Sequence, residues 1–434
     1  MQKLKILTYL QKLLPYLYIV FFICLFCGKF RAETSICEGL LLVFTLAINR
    51  LQYGHFFPKR PWNLFVVACL TIYLLQVLAL LYTDNFPSGL NKIQIKTTLV
   101  ILTLALYYNN YLNAAFREKI MPFYILFLAI TLLVCFVHST VLFFSYHDGS
   151  VFFYYALVRI FDLHAVQFSI LVYIGLIYLL DKMRRRSFMI NKTLHLFAIV
   201  YLVFFIGLLS SKIVIIFSFC SILWYISLYR KKPNSSKKVS TLAVLGSMAI
   251  LITLMYTKNP VSNRFKDIFS GKISVIEKNQ FGPGDYFNGL QFRLLQWRLA
   301  GEILKENKAW LAGVSPGDAQ GLLNKKYVAM NMYTGDALRG NKGFLDYNTH
   351  NAFLESILQT GIIGLLVFIL ICIGFIQMMV QKRSTEFWLI GTLLICYCFI
   401  ESILETQYGV LIFTFFPLFL FYTTGRDSDK AGFA

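Results

Sequence analysis

The sequence predicts an all-helical, polytopic membrane protein with about twelve transmembrane helices. Hydrophobic residues make up 58% of the 434-residue chain and charged residues only 14%, which leaves too little polar surface to cover a water-soluble globule of this size. The apolar residues form runs of roughly 17 to 25, the length that crosses about 30 Å of hydrocarbon as a helix. Basic residues collect in alternate connections between these runs, as they do in cytoplasmic loops.

The predicted spans of the first half lie near residues 13–30, 36–49, 63–82, 96–112, 120–146 and 165–180. Those of the second half lie near residues 193–210, 212–229, 239–256, 362–380, 386–403 and 409–424. The first run has full spanning length and lacks a small-residue cleavage site, so we expect an anchor and not a signal peptide. The positive-inside rule places both termini in the cytoplasm. The net charge of +20 reflects the cytoplasmic loops, so membrane lipids, and no nucleic acid, are the expected partners.

The chain divides into three predicted parts. Residues 1–256 hold spans 1 to 9, residues 257–361 form a large, partly helical periplasmic loop, and residues 362–434 hold spans 10 to 12 and a short cytoplasmic tail. The loop is rich in Lys and Arg, which opposes the orientation bias, although long loops are translocated largely regardless of charge. We therefore expect this loop to bind an anion and to carry the candidate active site.

The clearest helical pattern in the loop covers residues 291–306. Its apolar positions share one face: Phe292, Leu295, Leu299 and Ile303. Arg293 and Trp297 lie on a different face. Arg293 has two possible roles, a guanidinium clamp for a phosphate or a solvated helix residue. Arg298 and Glu302 are spaced as a structural i,i+4 ion pair.

A second helical pattern follows between Asn348 and Gly361, just before the tenth predicted span. Asn348 or Thr349 is the predicted N-cap, Gly361 is the predicted C-terminal stop, and the apolar positions are Phe353, Leu354, Ile357 and Leu358. His350 then lies at the helix entrance, where the helix dipole disfavours a charged imidazole. A neutral histidine suits a general base, and a capping or interfacial histidine is the alternative.

Two further cations are candidates. Lys212 lies between two apolar runs, where ionisable groups are costly and usually mark function, although a lysine can also extend to the interface. Arg159 follows the fifth predicted span among aromatic residues and has the same two interpretations. The other histidines lack partners at metal-ligand spacing, and no GxxxxGK[ST] phosphate loop occurs. We therefore predict neither a metal nor a cofactor.

These features resemble the O-antigen ligase and O-antigen polymerase superfamily of bacterial envelope polysaccharide assembly. The residues that carry the resemblance are His350 and Asn351, with Gly361 and Gly364 leading into a span, and an Arg-x-x-x-Trp element formed by Arg293 and Trp297. The twelve-span layout with both ends inside is also similar, so the resemblance covers essentially the whole chain.

The resemblance implies a metal-independent glycosyltransferase at the periplasmic face of the bacterial inner (cytoplasmic) membrane. Its donor would be a polyprenyl-diphosphate-linked glycan, and its acceptor a lipid A-core sugar for a ligase or another lipid-linked repeat unit for a polymerase. These two activities stay open. A transporter or flippase of lipid-linked glycans is the rival from another class, and a purely structural assembly subunit is a third interpretation.

The same resemblance assigns roles to four residues. His350 would be the catalytic base for the acceptor hydroxyl, and Arg293 would be catalytic and bind the donor diphosphate. Lys212 stands where the family often has an arginine, and it would bind the diphosphate without bidentate geometry. Arg159 would be a further diphosphate ligand.

Overall fold

The structure is a computed structural model. It describes residues 2–189, 191–230, 245–246, 248–249, 262–263, 266, 273–282, 285, 287–336 and 341–425. The described residues are helical apart from turns, connections and one isolated antiparallel bridge between Asp336 and Asn341. The predicted all-helical class is therefore confirmed for the described part of the chain.

The helices before residue 231 are α1 Gln2–Leu25, α2 Arg31–Tyr53, α3 Leu64–Leu78, α4 Phe86–Tyr107, α5 Ala114–Tyr146, α6 Tyr154–Val158, α7 Ala165–Arg184, α8 Lys192–Leu209 and α9 Lys212–Arg230. The helices after residue 272 are α10 Gly289–Glu306, α11 Ala319–Ala329, α12 Ala352–Lys382, α13 Thr385–Cys398 and α14 Gln407–Thr423. Short 3₁₀ turns lie at Ala79–Tyr82, Gly149–Phe152, Arg159–Phe161, Ile273–Glu277 and Ile403–Glu405.

Within the described residues, seven helices are long and apolar enough to cross a membrane: α1, α2, α3 with its extension to Tyr82, α5, α7, α8 and α12. Three shorter apolar helices cover Lys212–Leu228, Thr385–Cys398 and Gln407–Thr423. This pattern is that of a multi-pass membrane protein. The count of twelve spans stays a prediction, and the predicted span at 239–256 lies almost entirely outside the described residues.

Two hydrophobic cores organise the described residues. The apolar helices share the larger one. α7 is the most enclosed of the seven long apolar helices, because all of its residues from Ala165 to Met183 except Val166 are buried. α10, α11 and the first turns of α12 form the smaller one. The predicted apolar face of α10 lies in this smaller core, which confirms it. Arg298 Nε and Glu302 Oε1 are 2.8 Å apart, so the predicted ion pair is also present.

α12 contains a break at Gly361. Thr360 and Gly361 leave the helical conformation, and Gly361 has φ 66° and ψ −165°. An adjacent segment, residues 310–315, satisfies the backbone there: Val314 N–H donates to Leu358 O at 2.8 Å, Ser315 N–H to Gln359 O at 3.1 Å, and Ile362 N–H to Trp310 O at 2.8 Å. A Cβ at Gly361 would lie 2.1 Å from Leu311 O. The predicted stop at Gly361 is thus confirmed, and the helix resumes directly beyond it.

Asp318 connects this region to the link between α3 and α4. Its carboxylate accepts hydrogen bonds from Thr83 Oγ1 at 3.0 Å, Asp84 N at 2.9 Å and Asn85 N at 3.0 Å. Ser315 Oγ donates to the same carboxylate at 2.8 Å. Bonds from backbone amides to an ionised carboxylate are among the stronger ones in proteins, so Asp318 fixes residues 310–318 against the end of α3.

Candidate active site

A cavity of about 430 Å³ lies where α7, α9, α10, α12 and α13 begin or end. Its lining residues are Tyr154, Tyr155, His164, Val166, Ser211, Lys212, Ile213, Gly289, Arg293, Tyr347, His350, Tyr397, Ile400 and Glu401. Three of the four predicted site residues therefore meet here, namely Lys212, Arg293 and His350. They come from positions more than fifty residues apart in the chain.

The fourth predicted residue, Arg159, lies elsewhere. It begins the 3₁₀ turn Arg159–Phe161 between α6 and α7, and its side chain is exposed. Among the described residues, its neighbours Tyr154 and Tyr155 line the cavity and Arg159 does not. The structure thus gives no support to the predicted contact of Arg159 with the substrate.

His350 precedes the first turn of α12, and Asn351 is the N-cap. The Asn351 side-chain oxygen accepts hydrogen bonds from the backbone N–H groups of Phe353 and Leu354, each at 3.0 Å. The predicted cap at Asn348 or Thr349 is wrong, because both side chains are engaged elsewhere: Asn348 Oδ1 contacts His350, and Thr349 Oγ1 donates to Glu355. His350 has φ 47°, which non-glycine residues adopt only where the surrounding contacts enforce it.

The contacts of His350 define which ring nitrogen carries the proton. Asn348 Oδ1 accepts the His350 backbone N–H at 3.0 Å and lies 2.9 Å from His350 Nδ1. Since that oxygen is an acceptor, Nδ1 holds the hydrogen and Nε2 keeps a lone pair. Burial, and then the positive charge of Arg293, lower the pKa of His350 to about 3. A neutral imidazole is thus favoured as predicted, but through burial and the charge of Arg293 and not through the helix dipole.

Glu401 lies behind the imidazole of His350. α13 ends at Cys398, and Glu401 Oε1 is 3.4 Å from His350 Nδ1. Burial raises the pKa of Glu401 to about 7, although the nearby Arg293 acts in the opposite direction. A carboxyl group that changes charge near neutral pH therefore adjoins the nitrogen that carries the histidine proton. Glu401 was not among the residues predicted from the sequence, although a carboxylate next to an apolar run is itself a signal of function.

A second half-buried histidine, His164, lines the same cavity. It is the N-cap of α7, and its Nδ1 accepts the Gln167 backbone N–H at 3.4 Å. Its Nε2 therefore carries the hydrogen and donates to the Tyr155 hydroxyl oxygen at 2.6 Å. Burial lowers the pKa of His164 to about 4. Tyr155, His164 and Tyr347, whose ring lies edge-on 5.7 Å from the His350 ring, thus form an uncharged aromatic wall.

Arg293 is held by the start of α10. Asn288 and Gln291 form a reciprocal capping box there, and Trp297 Nε1 donates to Thr349 O at 3.0 Å. The Trp297 contact joins α10 to the segment that carries His350. Arg293 Nη1 donates to Gly289 O at 3.3 Å, and Arg293 Nε is buried with no hydrogen-bond partner among the described residues. A partly desolvated guanidinium with unused donors is suited to an anion.

Lys212 contributes a second cation from another element. It is the first residue of α9, and its side chain is half-buried. Ser211, Lys212 and Ile213 all line the cavity, so the start of α9 faces it. The first backbone N–H groups of a helix lack intrahelical partners and carry a partial positive charge. The helix end and two cationic side chains therefore make this cavity favourable for phosphate oxygens.

A buried polar network supports the His350 segment from behind. Lys96 Nζ, on a side chain 2% exposed, lies 2.8 Å from Glu405 Oε1. Gln359 Nε2 donates to Glu405 Oε1 at 2.9 Å and to Glu355 Oε1 at 2.7 Å. Thr349 Oγ1 donates to Glu355 Oε2 at 2.7 Å. This chain of contacts ends at Thr349, one residue before His350, and no role in such a network was predicted from the sequence for any of its members.

Comparison with known proteins identifies the region that carries the site. Residues 196–369 match a family model described as O-antigen ligase. The matched segment contains Lys212, Arg293 and His350, whereas Arg159 and Glu401 lie outside it. The resemblance to the O-antigen ligase and polymerase superfamily is thereby confirmed. No curated protein matches the chain.

Proposed function

We propose that this chain, of which residues 196–369 match a family model described as O-antigen ligase, is a metal-independent membrane glycosyltransferase of the ligase or polymerase type. It transfers a glycan from a polyprenyl-diphosphate-linked donor to an acceptor hydroxyl at the periplasmic face of the bacterial inner membrane. The acceptor is a lipid A-core sugar for a ligase and another repeat unit for a polymerase. The observation that carries this proposal is the convergence of Arg293, Lys212 and His350 on one cavity.

The cations bind the donor in this proposal. The diphosphate accepts hydrogen bonds from Arg293, whose Nε is buried and has no partner in the described structure, and from the start of α9 beside Lys212. In the transfer step, the acceptor oxygen forms a bond to the anomeric carbon while the bond from that carbon to the diphosphate breaks. Negative charge grows on the departing diphosphate, and fixed cations in a buried site stabilise it most effectively at that moment.

His350 takes the acceptor proton. Its Nε2 has the free lone pair, and Asn348 holds the ring through Nδ1. Transfer of the hydroxyl proton to Nε2 creates an imidazolium, whose positive charge the Glu401 carboxylate, 3.4 Å from Nδ1, stabilises electrostatically. This arrangement follows the logic of an oriented histidine with a carboxylate behind it.

Donor binding also raises the basicity of His350. The Arg293 charge contributes to the low pKa of His350, and a bound diphosphate offsets that charge. The imidazole therefore accepts a proton more readily when the donor is present. Because the pKa of His350 rises only when the donor is bound, the histidine is a stronger base during the reaction than without substrate.

The decisive experiment measures glycan transfer by purified protein with a defined lipid-linked donor. We expect His350→Ala and Arg293→Ala each to lower the rate by at least about 10²-fold, as for loss of a general base or of a charge-stabilising donor. His55→Ala and Lys305→Ala are matched controls, because both side chains are exposed and away from the cavity. Transfer at the wild-type rate in both site variants, with normal protein levels, would refute the site assignment.

The same assay separates the alternatives. Supplying a lipid A-core sugar or a second repeat unit as acceptor distinguishes a ligase from a polymerase. If the protein is a flippase, cells that lack it should accumulate the lipid-linked donor on the inner leaflet. If it is a transferase, such cells should accumulate unextended or unattached glycan outside. A finding of trapped inner-leaflet donor would replace the transferase proposal with transport.

A further inference from the structure

A second cavity lies at the other end of α3 from the contacts of Asp318. Its volume is about 550 Å³, and it is bounded by residues 57–63, the start of α3 and the end of α4. α3 begins here, with Asn63 as its N-cap, whereas the turn at its far end reaches Thr83 and Asp318. Because α3 and its extension to Tyr82 are together long and apolar enough to span the bilayer, this cavity lies at the opposite membrane face from Asp318.

The cavity has two chemically distinct parts. Lys59, Arg60 and Trp62 lie at its entrance, and Trp62 is 88% exposed. Its inner surface is apolar and comes from the spanning helices: Val66, Val67, Leu70 and Leu104. A tryptophan beside basic residues at the start of a spanning helix is typical of the interface between lipid head groups and acyl chains.

The basic entrance is ordered by the fold. The Arg60 guanidinium donates to Asn110 and stacks 5.5 Å from the centre of the Tyr422 ring. Tyr107 Oη donates to Pro61 O at 2.8 Å, which fixes the backbone between the two cations and α3. A preordered cationic entrance loses less conformational entropy on binding than a mobile one does.

We propose that this cavity binds an anionic phospholipid of the adjacent leaflet. The lipid phosphate contacts Lys59 and Arg60, and the parts of the acyl chains nearest the head group cover the apolar inner surface. A free phosphate would satisfy the cations but would leave the apolar surface without a partner. A zwitterionic lipid would cover the apolar surface but would gain less from two adjacent cations.

The proposal is tested by native mass spectrometry of the purified full-length protein with phosphatidylglycerol, phosphatidylcholine or inorganic phosphate. We expect phosphatidylglycerol to bind more tightly than phosphatidylcholine. Lys59→Gln should weaken phosphatidylglycerol binding about five-fold, the effect of one basic residue near an anionic lipid surface. Lys59 is exposed, so this variant leaves the contacts of Arg60 intact and is expected to fold.

A second variant tests the apolar part. Leu70→Trp should fill the inner surface and weaken binding of both phospholipids, and the exposed Lys305→Gln is the control that should change neither. The proposal would be overturned if both phospholipids bound equally and if neither Lys59→Gln nor Leu70→Trp changed that binding. Competition by millimolar inorganic phosphate would also overturn it, because that result identifies a free-anion site. Glycan transfer is not measured here, so the outcome is independent of the proposed reaction.

Discussion

The side chains of His350 and Glu401 are in contact, but their pKa values differ widely. The pKa of His350 is about 3 and that of Glu401 is about 7. Near neutral pH the imidazole is therefore uncharged throughout, whereas the carboxyl group passes from its acid form to the carboxylate. Only the carboxylate form has the negative charge that stabilises a nearby imidazolium, so the charge of Glu401 should control the efficiency of His350.

We therefore expect transfer activity to rise between pH 6 and pH 8, with a midpoint near the Glu401 pKa of about 7. Glu401→Gln should remove this pH dependence and lower the plateau rate by about 10²-fold, because the amide cannot take a negative charge. The measurement is the transfer rate against pH at saturating donor. A Glu401→Gln profile that keeps its midpoint near pH 7 would assign the titration to another group.

The sequence predicted some site residues and missed others for a physical reason. Arg293 and His350 occur in short local patterns, a helix with an apolar face and a segment before a helix start, so their roles could be inferred from neighbouring residues. Glu401 and His164 join the site only through tertiary packing of α13 and α7. Both histidine and carboxylate sit at the ends of apolar helices, and that position was the available signal.

At the scale of elements, the break in α12 lies between the turns that follow His350 and the spanning part of the same helix. Residues 310–315 bond to the backbone on both sides of Gly361, so they replace hydrogen bonds that the interrupted helix lacks. The sequence predicted an end at Gly361 from its helix-stop pattern. It could not show that another segment passes close enough to let the helix resume, because that contact joins residues about fifty positions apart.

Gly361→Ala should destabilise the protein by about 2 kcal/mol or more and reduce transfer, because the added Cβ meets Leu311 O and the backbone has a positive φ. Gly301→Ala is the matched control: Gly301 lies inside α10 with open space around its Cβ position, and alanine favours helix there. The measurement is the thermal unfolding midpoint in detergent. Equal midpoints for the two variants would show that the break tolerates a side chain.

At the scale of the molecule, the basic charge of the long loop and the position of the candidate site make opposite demands on membrane orientation. The proposed reaction requires residues 257–350 outside, although this stretch is itself basic. Charge bias acts mainly through short loops, so the basic connections near residues 184–192 and 230–238 should determine the orientation.

Reporter fusions test this orientation directly. We expect a reporter inserted after residue 306 to be active in the periplasm, and one inserted after residue 186 to be active in the cytoplasm. The second fusion serves as the control for insertion. If the fusion after residue 306 reports the cytoplasm, then Arg293 and His350 face the wrong compartment and the proposed reaction fails with them.

The contacts of Asp318 have a consequence for how large substrates reach the cavity. Its carboxylate holds two backbone amides and two hydroxyls, which come from the α3–α4 link and from Ser315. Residues 310–318 therefore do not behave as a hinged lid over the membrane helices. If the proposed reaction is correct, a donor with a long isoprenoid tail has to reach the cavity from the lipid phase while this flank stays closed.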